Sequence, residues 1–243
     1  MTRKNILIQY MESRLAKEEG RPEPGPVITI SREMGCPAKS VAEKVKFSLN
    51  HDLPGSGIWR CLSNEILEES ARRLRVDPKY IKHIFTYNDR NTLDEILAAT
   101  KKEHRYKSDR AIKNTIGQVI KSLGEQGNYI IIGRAGVAHT RHIKRSLHVR
   151  LIAPFDWRVS KIMEYKGINR QAAADKITTG DVNRKQFLNY YLGDSKLEDN
   201  FDLILNCSSY SIEGIAEIIV EAYKKRFNPE QDKPARGKYR MAK

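Results

Sequence analysis

Val27-Ile-Thr-Ile-Ser-Arg-Glu-Met-Gly-Cys-Pro-Ala-Lys-Ser-Val-Ala42 sets a run of β-branched residues against a short polar turn and the start of an amphipathic segment. The run predicts a buried strand over 27–31, and the apolar spacing after the turn predicts a helix over 39–49. A strand, a tight loop and a helix N-terminus in that order present backbone N–H groups to an anion. The common pattern for such phosphate-binding loops, G-x-x-x-x-G-K-[ST], is only partly met. Gly35 supplies one glycine, Pro37 removes an N–H donor, and Lys39-Ser40 is the nearest counterpart of the Lys-Ser/Thr pair. The organisation points to a phosphate-bearing ligand, and the loop chemistry to a rewired cradle.

Outward from this stretch, four more segments read as buried parallel strands: a weak one near 58–61, then 129–133, 147–152 and 201–206. Helical patterns at 64–74, 78–85, 91–99, 108–126, 155–165, 170–191 and 212–226 separate them. Strands alternating with helices predict a doubly wound α/β sheet. Two regions break that rhythm. Residues 63–104 hold several helical patterns without a clear strand and are expected to form a helical cap. Residues 169–193 form a long polar helix with few apolar anchors, the character of a mobile lid. The expected organisation is an N-terminal amphipathic helix and Pro/Gly linker (1–26), a central domain (27–226) and a basic tail (227–243).

The 243 residues carry a net charge of +14, with 40% hydrophobic and 30% charged residues, which excludes a disordered chain. No apolar run approaches the roughly 18 residues of a membrane span, and the N-terminus is too weakly apolar for a signal peptide. Cys36, Cys61 and Cys207 are odd in number and far apart, so neither a disulfide framework nor a zinc knuckle is expected. A cytoplasmic protein without a membrane partner follows as the expectation. From Lys224 to the end, eight Lys/Arg face two acids, so much of the charge lies on the tail. The rest is concentrated in 101–110 and 141–150, consistent with a cleft for several phosphates. No aromatic and basic residues interleave as in nucleic-acid modules, so a nucleic-acid partner is not expected.

Five stretches carry a family resemblance: Ile28-Thr-Ile-Ser-Arg-Glu-Met-Gly35, Ile131-Ile-Gly-Arg-Ala-Gly136, Leu147-His-Val-Arg-Leu-Ile-Ala-Pro-Phe-Asp-Trp-Arg158, Ala172-Ala-Ala-Asp-Lys-Ile-Thr-Thr-Gly-Asp-Val-Asn-Arg184 and Phe201-Asp-Leu-Ile-Leu-Asn206. In that order and spacing, over about 27–225, they resemble the cytidylate kinase-like family of P-loop nucleoside monophosphate kinases. The resemblance implies a five-stranded parallel sheet flanked by helices, a helical monophosphate-binding cap and a lid closing over the donor. It also implies transfer of the γ-phosphoryl group of ATP, with Mg²⁺, to a nucleoside monophosphate, cytidylate by analogy.

The resemblance then assigns expectations to residues. The loop of Arg32, Gly35, Cys36, Pro37, Ala38, Lys39 and Ser40 would wrap the donor's phosphates. Ala38 falls where a catalytic Lys is usual, and Lys39 stands in for the family's Arg as a point charge without its fork. Pro37 replaces a usual glycine. Ser40 lies one residue past the usual Mg²⁺-binding hydroxyl. Arg134, emerging from a strand at the sheet's carboxyl edge, would hold the monophosphate. Arg158 opens a helix and is expected on the nucleotide. Arg184 would reach the transferring phosphates when the lid shuts, with Asp181 orienting it or supporting the lid. No acid follows the strand before Arg134, so the Mg²⁺ ligands are not read from the sequence; Glu33 or water are the remaining sources.

Two further motifs are read from the residues alone. His139 and His142 form H-x-x-H on an expected helix without a third ligand nearby, so no metal site is expected there. Cys36, near a helix N-terminus, is expected to have a lowered thiol pKa. Two readings follow: an ATP-dependent phosphotransferase acting on a nucleoside monophosphate or similar acceptor, or a non-catalytic nucleotide sensor in which Pro37 and Ala38 permit binding without turnover.

Overall fold

The computed structural model describes residues 24–52, 57–75, 109–193 and 196–227. Most of the N-terminal helix and linker, the basic tail beyond Phe227, and the expected cap helices at 78–85 and 91–99 lie outside the described residues. Five parallel strands form one sheet in the order β2-β3-β1-β4-β5: β1 (Val27–Arg32), β2 (Arg60–Leu62), β3 (Tyr129–Ile132), β4 (Ser146–Ile152) and β5 (Leu203–Asn206). The helices are α1 (Ala38–Asp52), α2 (Glu65–Leu74), α3 (Asp109–Gln126), α4 (Gly136–Thr140), α5 (Phe155–Lys166), α6 (Arg170–Leu192) and α7 (Ile212–Phe227). Parallel strands with helices on both faces are the architecture expected from the sequence.

β1 lies at the centre, paired to β3 on one side and β4 on the other. Both of its faces are covered, which is why Val27–Ile30 are all buried, Thr29 among them. Ile28 and Ile30 join Val41, Val45 and Leu49 of α1 and Ile215, Ile219 and Tyr223 of α7 in one core. Val27 faces a second core with Ile131, Ile66 of α2 and Ile112, Ile116 and Ile120 of α3. Burying a side chain of this size is worth about 1.5–3 kcal/mol, so the two cores fix where the carboxyl ends of β1, β3 and β4 lie.

The weak strand expected near 58–61 is shifted to Arg60–Leu62. Ile58 is exposed, whereas Trp59 is buried edge-on to Tyr223 at 5.2 Å, with its backbone clasped by the Asn50 side chain. The last strand starts at Leu203 rather than 201, because Asp202 ties its backbone and its carboxylate to the backbone of His148. His139 lies on α4, but His142 does not. That helix ends at Thr140, in a turn that buries Ile143.

The helix expected to be weakly anchored is one continuous α6, started by Asn169, whose side chain accepts from the Ala172 amide at 2.8 Å. Its inward face follows helical spacing: Ala173, Ile177, Gly180, Asp181, Arg184, Phe187, Leu188, Leu192. The apolar residues at its start pack on Val159 and Ile162 of α5, and those at its end join the second core. This corrects the expectation of few anchors. The three middle residues of the same face are Gly, Asp and Arg, which interrupt the apolar stripe.

Candidate active site

The carboxyl ends of β1 and β3 and the middle of α6 enclose a cavity of about 520 Å³. Four arginines line it: Arg150 of β4, paired with Glu33 at 3.9 Å, and three that converge from other elements, Arg32 from the end of β1, Arg134 from the turn after β3 and Arg184 from α6. Ligands of open α/β sheets bind in this crevice beyond the strand ends.

The turn that delivers Arg134 has an unusual backbone. Gly133, Arg134 and Ala135 all have left-handed φ (71°, 55° and 53°), and the Gly136 amide closes the turn on the Gly133 carbonyl at 2.9 Å. Two successive non-glycine residues in this region hold strain that must be offset by the surrounding contacts. A side chain at Gly133 would run into the Arg32 guanidinium, so the glycine lets the two strand ends approach.

The three guanidiniums face one another. Burial lowers the pKa of Arg32 to about 9, with Arg184 and then Arg134 adding to the effect. Arg134 is lowered to about 10 by burial and then Arg184. Arg184 is lowered by burial, against the opposing effect of Asp181. Arginine keeps its proton at any pH at which the fold survives, so each depression marks a charge that the apoprotein holds unfavourably. Arg134 donates to Asn64 Oδ1 at 3.4 Å, and Arg184 reaches the Arg32 carbonyl at 3.5 Å. Arg32 makes no side-chain hydrogen bond or ion pair to a described residue. An anion with several oxygens would relieve all three.

The expected phosphate loop lies beside this cavity, and its backbone is folded in on itself. The Cys36 amide bonds the Glu33 carbonyl at 3.3 Å, closing a turn with Gly35 at φ +98° in third position, as a type II turn requires. A Cβ at Gly35 would stand 2.9 Å from Cβ of Arg158. Three more of its amides are committed: Glu33 N–H to Leu151 O at 3.0 Å, Met34 N–H to Asp181 Oδ1 at 2.6 Å, and Ala38 N–H to Cys36 O at 2.9 Å. Pro37 has none.

Arg158, expected on the nucleotide, is buried. It donates to the carbonyls of Ala153 (2.9 Å) and Met34 (3.2 Å), pairs with Glu33 at 3.4 Å and hydrogen-bonds Asp181 Oδ2. Glu33 also accepts from the Ala153 amide at 3.2 Å. Asp181 therefore bridges α6, α5 and the loop. Lys39 and Ser40 are exposed on the first turn of α1, with Lys39 facing Glu65, while Ala38 is buried. The cavity gathers Arg32, Arg134, Asp181 and Arg184, while Gly35, Cys36, Pro37, Ala38, Lys39, Ser40 and Arg158 lie outside its lining.

The Cys36 expectation is corrected: its thiol is pushed up, not down, chiefly because it donates to the Cys207 sulfur and is also buried. Among the described residues, no three His, Cys, Asp or Glu gather as a metal site, and no helix is long and apolar enough to cross a membrane.

The sequence reading did not single out Thr29, Ser31, Arg150 and Leu197, which line the cavity with Phe187 and Leu188. Arg150 had a signal. It alternates with Ser146 and His148 on a core strand, and polar residues on a doubly covered strand call for a reason. His148 is held by Thr29 Oγ1 at 2.8 Å and is lowered to about 4 by burial.

The model of the cytidylate kinase-like family matches residues 27–209, which contain every residue of this site. The chain belongs to the cytidylate kinase-like family. Among curated relatives, a uronate isomerase of Corynebacterium glutamicum is 28% identical over 99 residues, 40% of this chain and 19% of its own length. A cytidylate kinase of Pyrococcus horikoshii is 32% identical over 99 residues, again 40% of this chain and 50% of its own length. The chain thus spans half or less of the curated relatives it matches. The crystal structure of an uncharacterized protein from Eubacterium ventriosum superposes with a TM-score of 0.58 at 17% identity. It covers 82% of this chain and 98% of its own, a likeness of fold alone. Family membership supports a kinase-like fold of the nucleotide or small-molecule type.

Proposed function

We propose that the protein is an ATP-dependent phosphotransferase whose acceptor, a nucleoside monophosphate or a similar phosphorylated small molecule, binds in the arginine cavity. The observation that supports this most is the convergence of Arg32, Arg134 and Arg184 on one cavity at the strand ends, with Arg32 lacking any partner for its guanidinium among the described residues. Arg32 and Arg134 would grip the acceptor's phosphate from the sheet. Arg184 would meet it from the lid helix α6. Such a clamp holds the charge that spreads over a transferring phosphoryl group and keeps the group aligned. Phe187, Leu188 and Leu197 would exclude water from the other end of the ligand.

ATP and Mg²⁺ belong to this reading through the family. As folded, however, the loop does not wrap a triphosphate: the amides of Glu33, Met34, Cys36 and Ala38 are committed within the protein and Pro37 has none, which leaves Gly35 and the first-turn amides of Lys39 and Ser40. Glu33 and Asp181 place two carboxylates beside it. No step through the donor is derived from this conformation. The same commitments favour a second reading, a nucleotide-binding protein without turnover.

Incubating the protein with ATP, Mg²⁺ and each common nucleoside monophosphate, then assaying for diphosphate products, separates the two. Diphosphate formed from one or a few monophosphates supports the transferase. No product from any of them, with monophosphate binding intact, leaves the sensor.

A further inference from the structure

Asp181 is an acid in the middle of a helix face that is otherwise apolar or cationic, and both of its oxygens are engaged by groups distant in sequence. Oδ1 accepts the Met34 amide of the phosphate loop at 2.6 Å, and Oδ2 accepts from Arg158, which also holds the Met34 carbonyl. One carboxylate thus joins α6 to both sides of a single loop residue. The helix lies directly on that residue. A Cβ at Gly180 would stand 3.3 Å from the Met34 sulfur, and an Arg184 nitrogen approaches the same sulfur at 3.2 Å. A loop amide bonded to an anionic oxygen, with an arginine on that oxygen's partner, is the arrangement a bound phosphate would make.

We infer that Asp181 is the loop's own counter-anion. Its carboxylate takes the place of a ligand's phosphate oxygen at the Met34 amide, and it latches α6 onto the loop until a polyphosphate displaces it. A polyphosphate on the loop and Asp181 on Met34 exclude one another, so loading the loop releases the middle of α6. This goes beyond the arginine-cavity reading: it concerns the loop, and cytidine monophosphate binding reports on the cavity separately.

The test is a titration with inorganic tripolyphosphate, without metal, of the parent, Asp181→Asn and Asp181→Ala. Asp175→Asn is the control for removing one negative charge from the same helix, at an exposed site hydrogen-bonded only to Gln171. Asp181→Ala should bind tripolyphosphate at least five-fold more tightly, Asp181→Asn by an intermediate factor because it keeps an acceptor for the amide, and Asp175→Asn as the parent does. Equal or weaker binding by Asp181→Ala, or equal tightening by Asp175→Asn, overturns the inference. A second measurement needs no variant. In the parent, tripolyphosphate should slow hydrogen exchange over 33–36 and speed it over 178–185. Slowing or no change at 178–185 would show that Asp181 stays in place and that the latch does not exist.

Discussion

Arg32→Met is expected to strengthen the apoprotein and weaken its ligand. In most proteins a half-buried arginine is tied to a carboxylate or carbonyls, and its removal destabilises the fold. Arg32 is different, because the charges that face it are Arg134 and Arg184. Lowering its pKa from 12.5 to about 9 is equivalent to at most about 5 kcal/mol of penalty at 1.36 kcal/mol per unit. The side chain keeps some contact with water, and it contributes packing that Met retains only in part. A net gain of about 1–2 kcal/mol remains, which in a domain of this size raises Tm by roughly 2–8 °C. Binding should move the other way. Losing a charge-assisted contact to phosphate is worth about 1.5–3 kcal/mol, or roughly 10- to 100-fold in Kd. Urea denaturation without ligand and calorimetric titration with cytidine monophosphate measure the two effects separately. A variant that is less stable than the parent and binds as well as the parent would make Arg32 a structural tie and refute the reasoning.

Arg134→Lys keeps the charge and loses the fork. It should raise KM for the acceptor several-fold while leaving KM for ATP nearly unchanged; the reverse pattern would put Arg134 on the donor. Arg184→Ala should weaken acceptor binding by roughly 10-fold and lower turnover at saturation by about two powers of ten, roughly 2.7 kcal/mol in the barrier. Equal losses in binding and turnover would mean that Arg184 acts before the transition state. His139 and His148 are both lowered to about 4 by burial, so each resists protonation when folded and accepts it near 6.5 when unfolded. Their stability contribution is therefore complete above about pH 6.5 and is lost as pH falls toward 4. Between pH 7 and 5 the loss should be on the order of 2 kcal/mol for His148 and less for the more exposed His139. Denaturant midpoints that stay flat across that window would contradict it, and His148→Asn should remove its share of the slope.

Most of the sheet was legible because parallel strands covered on both faces are rich in β-branched and other apolar residues, as 27–30, 129–132 and 147–152 are despite His148 and Arg150. The weak strand was misplaced by one or two residues because Ile58 looks like a core residue, while the buried one, Trp59, is fixed by Asn50 and Tyr223, neither of which is its neighbour in sequence. The anchoring of the helix expected as a lid was misjudged for a more useful reason. Gly180, Asp181 and Arg184 occupy its inward face, so the residues that build the site also erase the apolar stripe that would have shown the helix to be anchored. In the loop, sequence suggested a phosphate cradle short of donors. The fold adds that four of its amides bond inward, two of them, those of Glu33 and Met34, to Leu151 and Asp181, 118 and 147 residues away.

The central claim is that the arginine cavity, rather than the loop as folded, receives a ligand's phosphate. A crystal structure of the protein with cytidine monophosphate tests it most directly. The expected result is a phosphate within about 3 Å of guanidinium nitrogens of Arg32, Arg134 and Arg184, with the Met34 amide still bonded to Asp181. A phosphate seated on residues 33–38 with Asp181 displaced, and the three arginines unchanged, would contradict it.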